Sequence, residues 1–289
     1  MKYEQIRELS PKHSVRKMCK VLGQKEAAYY NWLKRLEKNE LRKKDEIKLI
    51  ETVAEIFHEN KEVYGYRKMQ KALEKANMIL SEYKVRKIMK NNGMYPIVTK
   101  KYRPGRKGRS DGRYYENKLN QEFKAKEPNQ LWAGDITYIK TKLGYVYLAI
   151  IIDLFNREVI GYNISKNPDS ELVKRALGNA VLKINDNSSI IFHSDRGAQY
   201  SSKSYQNMLE KYGIKGSMSR ASCPYDNACS ESFFSQAKRE RIYRKEYDTI
   251  EEVEKDMFEY IELFYNRKRL HSELGYMSPV EYRMLKTVE

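Results

Sequence analysis

The spacing of apolar residues changes about a third of the way along the chain. Up to about residue 96, apolar residues recur three and four positions apart, which is typical of amphipathic helices. From about residue 135, short β-branched and aromatic runs alternate with helical spacing. The chain is therefore predicted to have an all-α N-terminal part and an α/β C-terminal part.

The helical part divides into two predicted units. In residues 1–44, Ser14 can begin a helix that Gly23 ends, and the next helix carries Tyr29, Trp32, Leu33 and Leu36. Two short helices around a glycine turn are typical of a helix-turn-helix. In residues 45–99, three more helices are predicted, marked by Ile47, Ile50, Ala54 and Phe57, by Met69 and Leu73, and by Val85, Ile88 and Met89. Each unit either binds DNA or is a plain helical bundle with a solvated basic face.

The second part begins with three predicted strands, at 135–140, 145–153 and 158–164. A helix at 171–183, a strand ending at Asp195, a helix near 203–212, a strand near 214–217 and a helix at 225–241 follow. Three consecutive strands and then an alternation of helices and strands predict an α/β fold with a mixed sheet.

Three acidic residues stand out in this α/β part. Asp135 begins one strand and Asp195 ends another, while Glu231 shares a helix face with Ser235 and Lys238. Such carboxylates can hold two divalent ions, which activate a nucleophile and stabilise the leaving oxygen at a phosphodiester. The chain contains 39 Asp and Glu residues, so chance spacing is the alternative. Three more residues of the Glu231 helix are predicted to pack inward: Phe233, Phe234 and Ala237.

The charge of the chain favours a nucleic-acid partner. Its net charge is +17, which is typical of proteins that bind nucleic acid or another anionic surface. Residues 100–113 hold seven basic residues and one acidic residue, with glycine and proline among them. Residues 100–127 are therefore interpreted as a basic linker. This linker either lies along DNA phosphates or is an ordinary solvated linker. The candidate DNA contacts in it are Lys100, Lys101, Arg103, Arg106, Lys107 and Arg109.

Several sequence motifs occur together around the three acids. They are Trp132 with Asp135-Ile-Thr-Tyr, the run His193 to Tyr200, Tyr225-Asp-Asn-Ala with Glu231-Ser-Phe-Phe and Lys238, and the late run Tyr265 to Pro279. With 35 residues between Asp195 and Glu231, this set resembles the DDE triad of insertion-sequence-3 family transposases of the OrfB type. That family belongs to the retroviral-integrase superfamily, so the resemblance implies an RNase H-like core over residues 128–289. Ala237 departs from the pattern, since a larger apolar residue is more usual there.

The resemblance also implies a function. A DDE transposase cuts the ends of its element to free 3′-hydroxyls and joins them to DNA. Asp135, Asp195 and Glu231 would be the catalytic and metal-binding residues, holding two Mg²⁺ ions for which Mn²⁺ can substitute, and Lys238 would bind DNA phosphate. The implied partners are double-stranded DNA, meaning element inverted repeats and target DNA, an OrfA-type partner or fusion, and further copies of the chain on DNA.

Four further features have less specific interpretations. Asp153 ends an apolar strand and is interpreted as a turn residue rather than a fourth ligand. His193, two positions before Asp195, is assigned a structural role. Arg267, Lys268, Arg269 and His271 follow a helical stripe as a basic loop that either contacts DNA or is solvated. The cysteines Cys19, Cys223 and Cys229 lack metal-ligand spacing and are interpreted as reduced thiols.

The sequence leaves two alternatives to a transposase. One is a stand-alone RNase H-like nuclease, which the basic helical units disfavour. The other is a catalytically silent DNA-binding regulator, which the intact acids disfavour. The sequence has no apolar run of membrane-spanning length and no apolar signal core at Met1. A bacterial cytoplasmic protein associated with the nucleoid is therefore expected.

Overall fold

The structure is a computed structural model that describes residues 2–97, 114–117, 125–184, 190–219 and 228–287. Most of the basic linker lies outside these residues, as do residues 220–227. The six linker residues predicted to contact DNA also lie outside the described residues: Lys100, Lys101, Arg103, Arg106, Lys107 and Arg109. None of the helices in the described ranges carries an apolar stretch long enough to cross a membrane.

Five helices form the N-terminal part: α1 (Lys2–Leu9), α2 (Val15–Val21), α3 (Glu26–Glu59), α4 (Tyr66–Lys75) and α5 (Glu82–Asn91). Gly23 ends the turn after α2 with a φ of +64°, a conformation that glycine adopts without strain. The hydroxyl of Ser81 caps α5 by accepting a hydrogen bond from the backbone N–H of Lys84. Gly93, at φ +67°, follows the end of α5. Helix α2 thus begins after Ser14 and ends before Gly23, as predicted.

Helix α3 differs from the prediction. The prediction of two separate helices, at Tyr29–Leu36 and at Ile47–Phe57, is wrong, because both stretches belong to one helix of 34 residues. Its first turns pack with Ile6 and Cys19, and its last turns pack with the core of α4 and α5. Every residue from 37 to 48 is exposed. The proposed boundary at 44/45 therefore lies in a solvated stretch of continuous helix.

A five-stranded mixed sheet organises the C-terminal part, as predicted. Its strands are β1 (Leu131–Thr141), β2 (Gly144–Asp153), β3 (Val159–Ser165), β4 (Ile191–Ser194) and β5 (Lys215–Met218), in the spatial order β3-β2-β1-β4-β5. The first three strands form an antiparallel meander, and β4 and β5 add to β1 in parallel. The shift from antiparallel to parallel pairing occurs at β1, which carries Asp135.

Helices cover both faces of the sheet. On one face lie α6 (Ser170–Val181), α7 (Ala198–Ser201) and α8 (Lys203–Lys211), packed against Trp132, Ile151 and Phe192. On the other lie α9 (Ala228–Glu240) and α10 (Ile250–Phe258), packed against Leu148 and Ile150. Thr249 caps α10, which continues into a π-helical turn, Glu259–Tyr265; α11 (Pro279–Lys286) ends the described chain.

The segment after the π-helical turn is more buried than predicted. Arg267 and Lys268 are exposed, but Arg269 and His271 are buried. The prediction that all four residues are solvated or contact DNA is therefore wrong for Arg269 and His271. Asn266 explains part of the burial, because its side-chain amide accepts from the N–H of Val159 at 3.0 Å and donates to the C=O of Val159 at 3.0 Å. These bonds satisfy backbone groups of β3 that would otherwise be buried without partners.

A buried ion pair joins this segment to α9. The guanidinium of Arg269 donates to both carboxylate oxygens of Glu240, at 2.6 Å and 2.9 Å, and the hydroxyl of Tyr260 donates to the same carboxylate at 2.9 Å. Next to Arg269, Leu270 packs in the core of the helical unit. There the hydroxyl of Tyr64 donates to the C=O of Lys268 at 3.1 Å and accepts from the N–H of Leu270 at 2.9 Å. The end of α9 and the helical unit are thus held by one short segment.

Arg269→Ala should lower the free energy of unfolding by about 3–5 kcal/mol, because it leaves the carboxylate of Glu240 buried without its charged partner. Arg267→Ala, two positions earlier and exposed, is the matched control and should change it by less than about 0.5 kcal/mol. Urea unfolding followed by circular dichroism measures both. Equal, small changes for the two variants would contradict the stabilising role of the pair.

Candidate active site

The sheet topology brings Asp135 and Asp195 to the same place. The parallel pairing of β1 and β4 ends with Gly134 opposite Ser194. Each aspartate is the next residue of its strand or directly follows it, and neighbouring strands lie about 4.8 Å apart. The two residues, 60 positions apart in the sequence, are therefore neighbours at the carboxyl end of β4, where α/β folds place their ligands.

Local hydrogen bonds hold both carboxylates. The Oδ1 atom of Asp135 accepts from the N–H of Ile136 at 2.8 Å, and the Oδ1 atom of Asp195 accepts from the N–H of Gly197 at 3.0 Å. A Cβ atom at residue 197 would lie only 2.9 Å from that Oδ1 atom, so glycine lets the backbone approach the carboxylate. Asp135 is buried, with 5% of its surface exposed. The orientation of both carboxylates is therefore determined by hydrogen bonds from the neighbouring backbone.

The hydroxyl of Tyr200 lies beneath the two aspartates. Tyr200, in α7, is fully buried against Phe192, and its hydroxyl oxygen would be 3.3 Å from a Cβ atom at Gly134. Burial raises the pKa of Tyr200 well above its usual value, and Tyr205, Asp135 and Asp195 raise it further. The phenol oxygen therefore lies next to the backbone position that precedes Asp135.

Helix α9 presents Glu231 from the sheet face on which it packs. The predicted inward residues Phe233, Phe234 and Ala237 are buried in the core shared with β1 and β2, so α9 is fixed against the strand that carries Asp135. Ala237 has no exposed surface, which shows that the smaller residue fits the packing. Glu231 lies in the first turn of α9 and is exposed.

Lys238, two helical turns after Glu231, lies close to Asp135. Its side chain is buried, with 3% of its surface exposed, and its Nζ atom lies 5.0 Å from the centre of the Tyr138 ring. Burial lowers the pKa of Lys238, while the carboxylate of Asp135 opposes that shift. The lysine is thus on the same side of α9 as the aspartates, although it is far less solvated than a surface lysine.

Asp153 lies apart from this group. It pairs with Trp132 across β1 and β2, whereas Asp135 pairs with Ile150, so three strand positions or about 10 Å separate the two aspartates. Its carboxylate accepts from the N–H groups of Asn129 at 2.8 Å and Phe155 at 3.0 Å. These bonds fit the predicted turn role.

His193 also occupies the place expected of a structural residue. It is fully buried between its strand neighbours, and its Nδ1 atom lies 2.9 Å from the hydroxyl of Ser217 in β5. The contact joins β4 to β5 just before Asp195.

The three acids are arranged around β1, but their carboxylates are not gathered into a tight cluster. Within the described ranges, no group of three or more His, Cys, Asp or Glu side chains is close enough to hold a metal ion. What the fold provides is a neighbouring pair, Asp135 and Asp195, with Glu231 on the helix packed beside them. Carboxylate oxygens are the ligands that Mg²⁺ prefers, so the donor set fits that ion.

Family models match three parts of the chain. An HTH-like domain matches residues 43–102, and integrase core domains match residues 125–224 and 231–286. The second core match begins at Glu231. The matched regions therefore contain all three acids and the second of the two helical units.

Similar proteins identify the family. The chain is 35% identical to the transposase InsF for insertion sequence IS3A of Escherichia coli, over 98% of this chain and 98% of that protein. It is 40% identical to the transposase for insertion sequence element IS904 of Lactococcus lactis, over 81% of this chain and 92% of that protein. The chain belongs to the insertion-sequence-3 family of transposases. This confirms the family that the motifs predicted. It also confirms the prediction that the chain is an enzyme with an integrase core domain.

Solved structures resemble the transposase more distantly. The HTLV-2 integrase catalytic core domain in complex with magnesium has a TM-score of 0.42 and 17% identity, over 55% of this chain and 99% of that one. The catalytic domain of Mos1 transposase, solved with raltegravir and manganese, has a TM-score of 0.37 and 16% identity, over 46% of this chain and 70% of that one. Because these scores are below 0.5, the family assignment rests on the sequence relatives.

Two groups of residues were not predicted from the sequence. Tyr138 was expected only to be part of a strand, although it contacts Lys238. The pair of Glu240 and Arg269 was not expected, because the two residues lie 29 positions apart and Arg269 was placed in a basic loop that either contacts DNA or is solvated. For Tyr138, a signal was present, since an aromatic residue lies three positions after a candidate catalytic aspartate.

The buried carboxyl of Asp153 should make stability depend on pH. Burial raises its pKa from 3.8 to about 6, so between about pH 4 and 6 the folded protein holds a proton that the unfolded chain releases. Ionisation in this window opposes folding, and the contribution of Asp153 to stability falls as pH rises. Relative to the wild type, Asp153→Asn should gain about 2–3 kcal/mol of unfolding free energy from pH 4 to pH 6.5. Urea unfolding across this range tests it, and a constant difference between the two proteins would contradict it.

Proposed function

We propose that the chain is a DDE transposase whose Asp135, Asp195 and Glu231 cut the ends of an insertion sequence and join the freed 3′-hydroxyls to DNA. The observation that carries the proposal is the register of β1 and β4, which makes Asp135 and Asp195 neighbours. Helix α9 packs against the same strand and carries the third acid. The family relatives are named as transposases, and that activity needs phosphodiester chemistry of this kind.

Each residue has a distinct part in the proposed reaction. Asp135 and Asp195, held by backbone N–H groups, offer oxygens in a fixed orientation at the scissile phosphate. Glu231 completes the site from α9 when DNA is bound. Lys238 neutralises phosphate charge beside Asp135 and so positions the DNA strand, acting as a point charge. In the joining step the 3′-oxygen forms a bond to the target phosphorus as the bond to the adjacent 3′-oxygen of the target breaks, so no external energy source is needed.

The three acids would hold Mg²⁺, with Mn²⁺ as a substitute, and the number of ions that fits this chemistry is two. When bound, the ions supply charge stabilisation at both the attacking and the leaving oxygen. The chain itself supplies the orientation of the carboxylates, through Gly197 behind Asp195 and the close packing of α9 on β1.

DNA binding is assigned to the helical units and to the linker between them and the core. Helix α5 presents Lys84, Arg86, Lys87 and Lys90 on its exposed surface, a basic face suited to phosphate contact. Residues 1–44 and 45–99 would recognise the element ends, residues 100–127 would follow the DNA, and residues 128–289 would form the catalytic core. We further propose that copies of the chain assemble on paired DNA ends, together with an OrfA-type partner or fusion.

Removing one carboxylate charge from the triad should abolish cutting and joining but not DNA binding. Asp135→Asn, Asp195→Asn and Glu231→Gln are the variants, and each should reduce strand joining by several orders of magnitude because members of such a site act as a unit. Activity should also require Mg²⁺ or Mn²⁺ and disappear in excess chelator. Labelled element ends, assayed for joined products and for gel retardation, measure both properties.

Asp153→Asn is the matched control for these variants, since it changes the same atoms in a buried aspartate about 10 Å from Asp135. It should keep strand joining. Full activity in any triad variant, or in excess chelator, would overturn the assignment. A folded but inactive Asp153→Asn protein would place that residue in the site.

Lys238→Ala should weaken strand joining by about 1–3 kcal/mol, the scale of a lost charged hydrogen bond to DNA. Lys238→Arg should be partly active, because it keeps the charge but not the fit in a buried position. Arg239→Ala, on the exposed face of α9, should have a smaller effect. Kinetics of strand joining compare the three variants, and equal small losses for Lys238→Ala and Arg239→Ala would remove Lys238 from the site.

A further inference from the structure

Three tyrosine rings lie exposed beside the candidate active site. Tyr138, Tyr145 and Tyr243 have 49%, 54% and 51% of their surfaces exposed. Tyrosine side chains in folded proteins are usually of intermediate burial. Tyr138 and Tyr145 contact each other edge to face, with ring centres 5.4 Å apart and an interplanar angle of 87°. They form one exposed aromatic surface rather than isolated residues.

The sheet topology explains why this surface is uncovered. Strand β4 pairs with β1 only from Leu131 to Gly134, so from Asp135 onward that edge of β1 has no strand beside it in the described ranges. Tyr138 pairs with Tyr147 of β2, and Tyr145, two positions from Tyr147, is its diagonal neighbour. Ile139 and Val146 are buried in the core on the opposite face, so the tyrosines occupy the exposed face of this end of the β1–β2 hairpin.

The end of the hairpin is anchored, which brings Tyr243 to the same surface. The N–H of Lys142 donates to the C=O of Tyr247 at 2.9 Å, and its ammonium pairs with Asp248 at 2.8 Å. Tyr243 lies just before these residues, in the 3₁₀ turn after α9. Burial raises the pKa of the Tyr243 hydroxyl, and Tyr138 raises it further.

The charges around the rings suit an anion. The ammonium of Lys238 lies 5.0 Å from the centre of the Tyr138 ring, and Lys140 and Arg239 are exposed nearby along β1 and α9. The two acids of the adjoining turn are Asp248, which is paired with Lys142, and Glu246, which is exposed. Aromatic rings with adjacent cations are the elements that bind single-stranded nucleic acid, because bases stack on the rings and cations hold phosphates.

We propose that Tyr138, Tyr145 and Tyr243 form an aromatic platform on which unpaired bases at the DNA end stack. This rests on the proposed function, because Lys238, which is proposed to hold DNA phosphate at the site, lies 5.0 Å from the centre of the Tyr138 ring, within reach of nucleotides next to the reacting phosphate. Bases of an intact duplex are stacked on one another, so the platform takes only bases that are unpaired. It selects frayed or single-stranded ends rather than a sequence.

Binding of a short duplex with a few unpaired 3′ nucleotides tests the platform. One unpaired position carries 2-aminopurine, whose fluorescence falls when it stacks on a ring, and excess chelator prevents reaction. The full chain and Tyr138→Phe should quench the probe. The double variant Tyr138→Leu with Tyr145→Leu should lose the quench and bind this probe about tenfold more weakly. Its affinity for a blunt duplex of the same sequence should not change.

Phe258→Leu is the matched control, because Phe258 is 50% exposed on α10 and lies beside Tyr162 of β3, apart from the helical units. A double variant that behaves like Phe258→Leu would overturn the platform. An equal loss of affinity for the blunt duplex would also overturn it, since the rings would then serve the duplex backbone. If thermal melting shows that the double variant is unfolded, Tyr243→Leu decides by the same criteria.

The test separates the platform from the catalytic proposal. Asp135→Asn should quench the probe as the wild type does, because stacking needs no triad. If that variant still joins DNA strands while the quench persists, the proposed function fails and the platform stands. If the triad variants are inactive and the tyrosine variants bind normally, only the platform fails.

Discussion

The ion pair between Glu240 and Arg269 is the constraint on which the arrangement of the chain depends. Arg269 has 5% of its surface exposed, and a charge so far from water is tolerated only with a partner and further hydrogen bonds. Glu240 ends the helix that carries Glu231, while Leu270 lies in the core of the helical unit. A buried charge requires its partner within hydrogen-bonding distance. The pair therefore fixes the positions of α9, the segment around Arg269 and the helical unit relative to one another. The helix of the third acid is thereby fixed at its far end as well as by its packing on β1.

The candidate site itself follows from a change of partner along a single strand. Strand β1 is paired with β4 as far as Gly134 and with β2 along almost all of its length. Asp135 is the first residue beyond the parallel pairing, so its side chain lies where the sheet surface opens. The same termination leaves the edge of β1 beside Tyr138 without a strand partner in the described part of the chain, and Tyr138 and Tyr145 lie on the exposed face there. The location of the candidate site and the exposure of these two tyrosines therefore both follow from the short length of β4.

Much of the catalytic core was predictable because its signals are local. The strands of the meander consist of β-branched and aromatic runs separated by turns, and their order follows from short connections. The position of Asp195 was predictable because it directly follows a strand. Asp135 was predicted to begin its strand and is instead the fifth residue of β1, which starts at Leu131. The burial of Arg269 was not predictable, because it depends on Glu240, a tertiary partner that no periodic pattern reveals. The continuity of α3 had a signal that was overlooked: residues 26–59 contain no glycine or proline.

Helix α3 has a consequence for how the N-terminal unit is oriented. Its middle, residues 37–48, is exposed, and Glu40 there forms a surface ion pair with Arg7 of α1 at 3.7 Å. Along the helix, the relation of the two helical clusters depends on the number of residues between them, with about 1.5 Å of separation and about 100° of rotation for each residue. An insertion or deletion of a single residue after Glu40 would turn one cluster to a different side of the helix while leaving the core of each cluster intact. The number of residues in this stretch therefore determines both the distance between the clusters and their relative rotation about the helix axis.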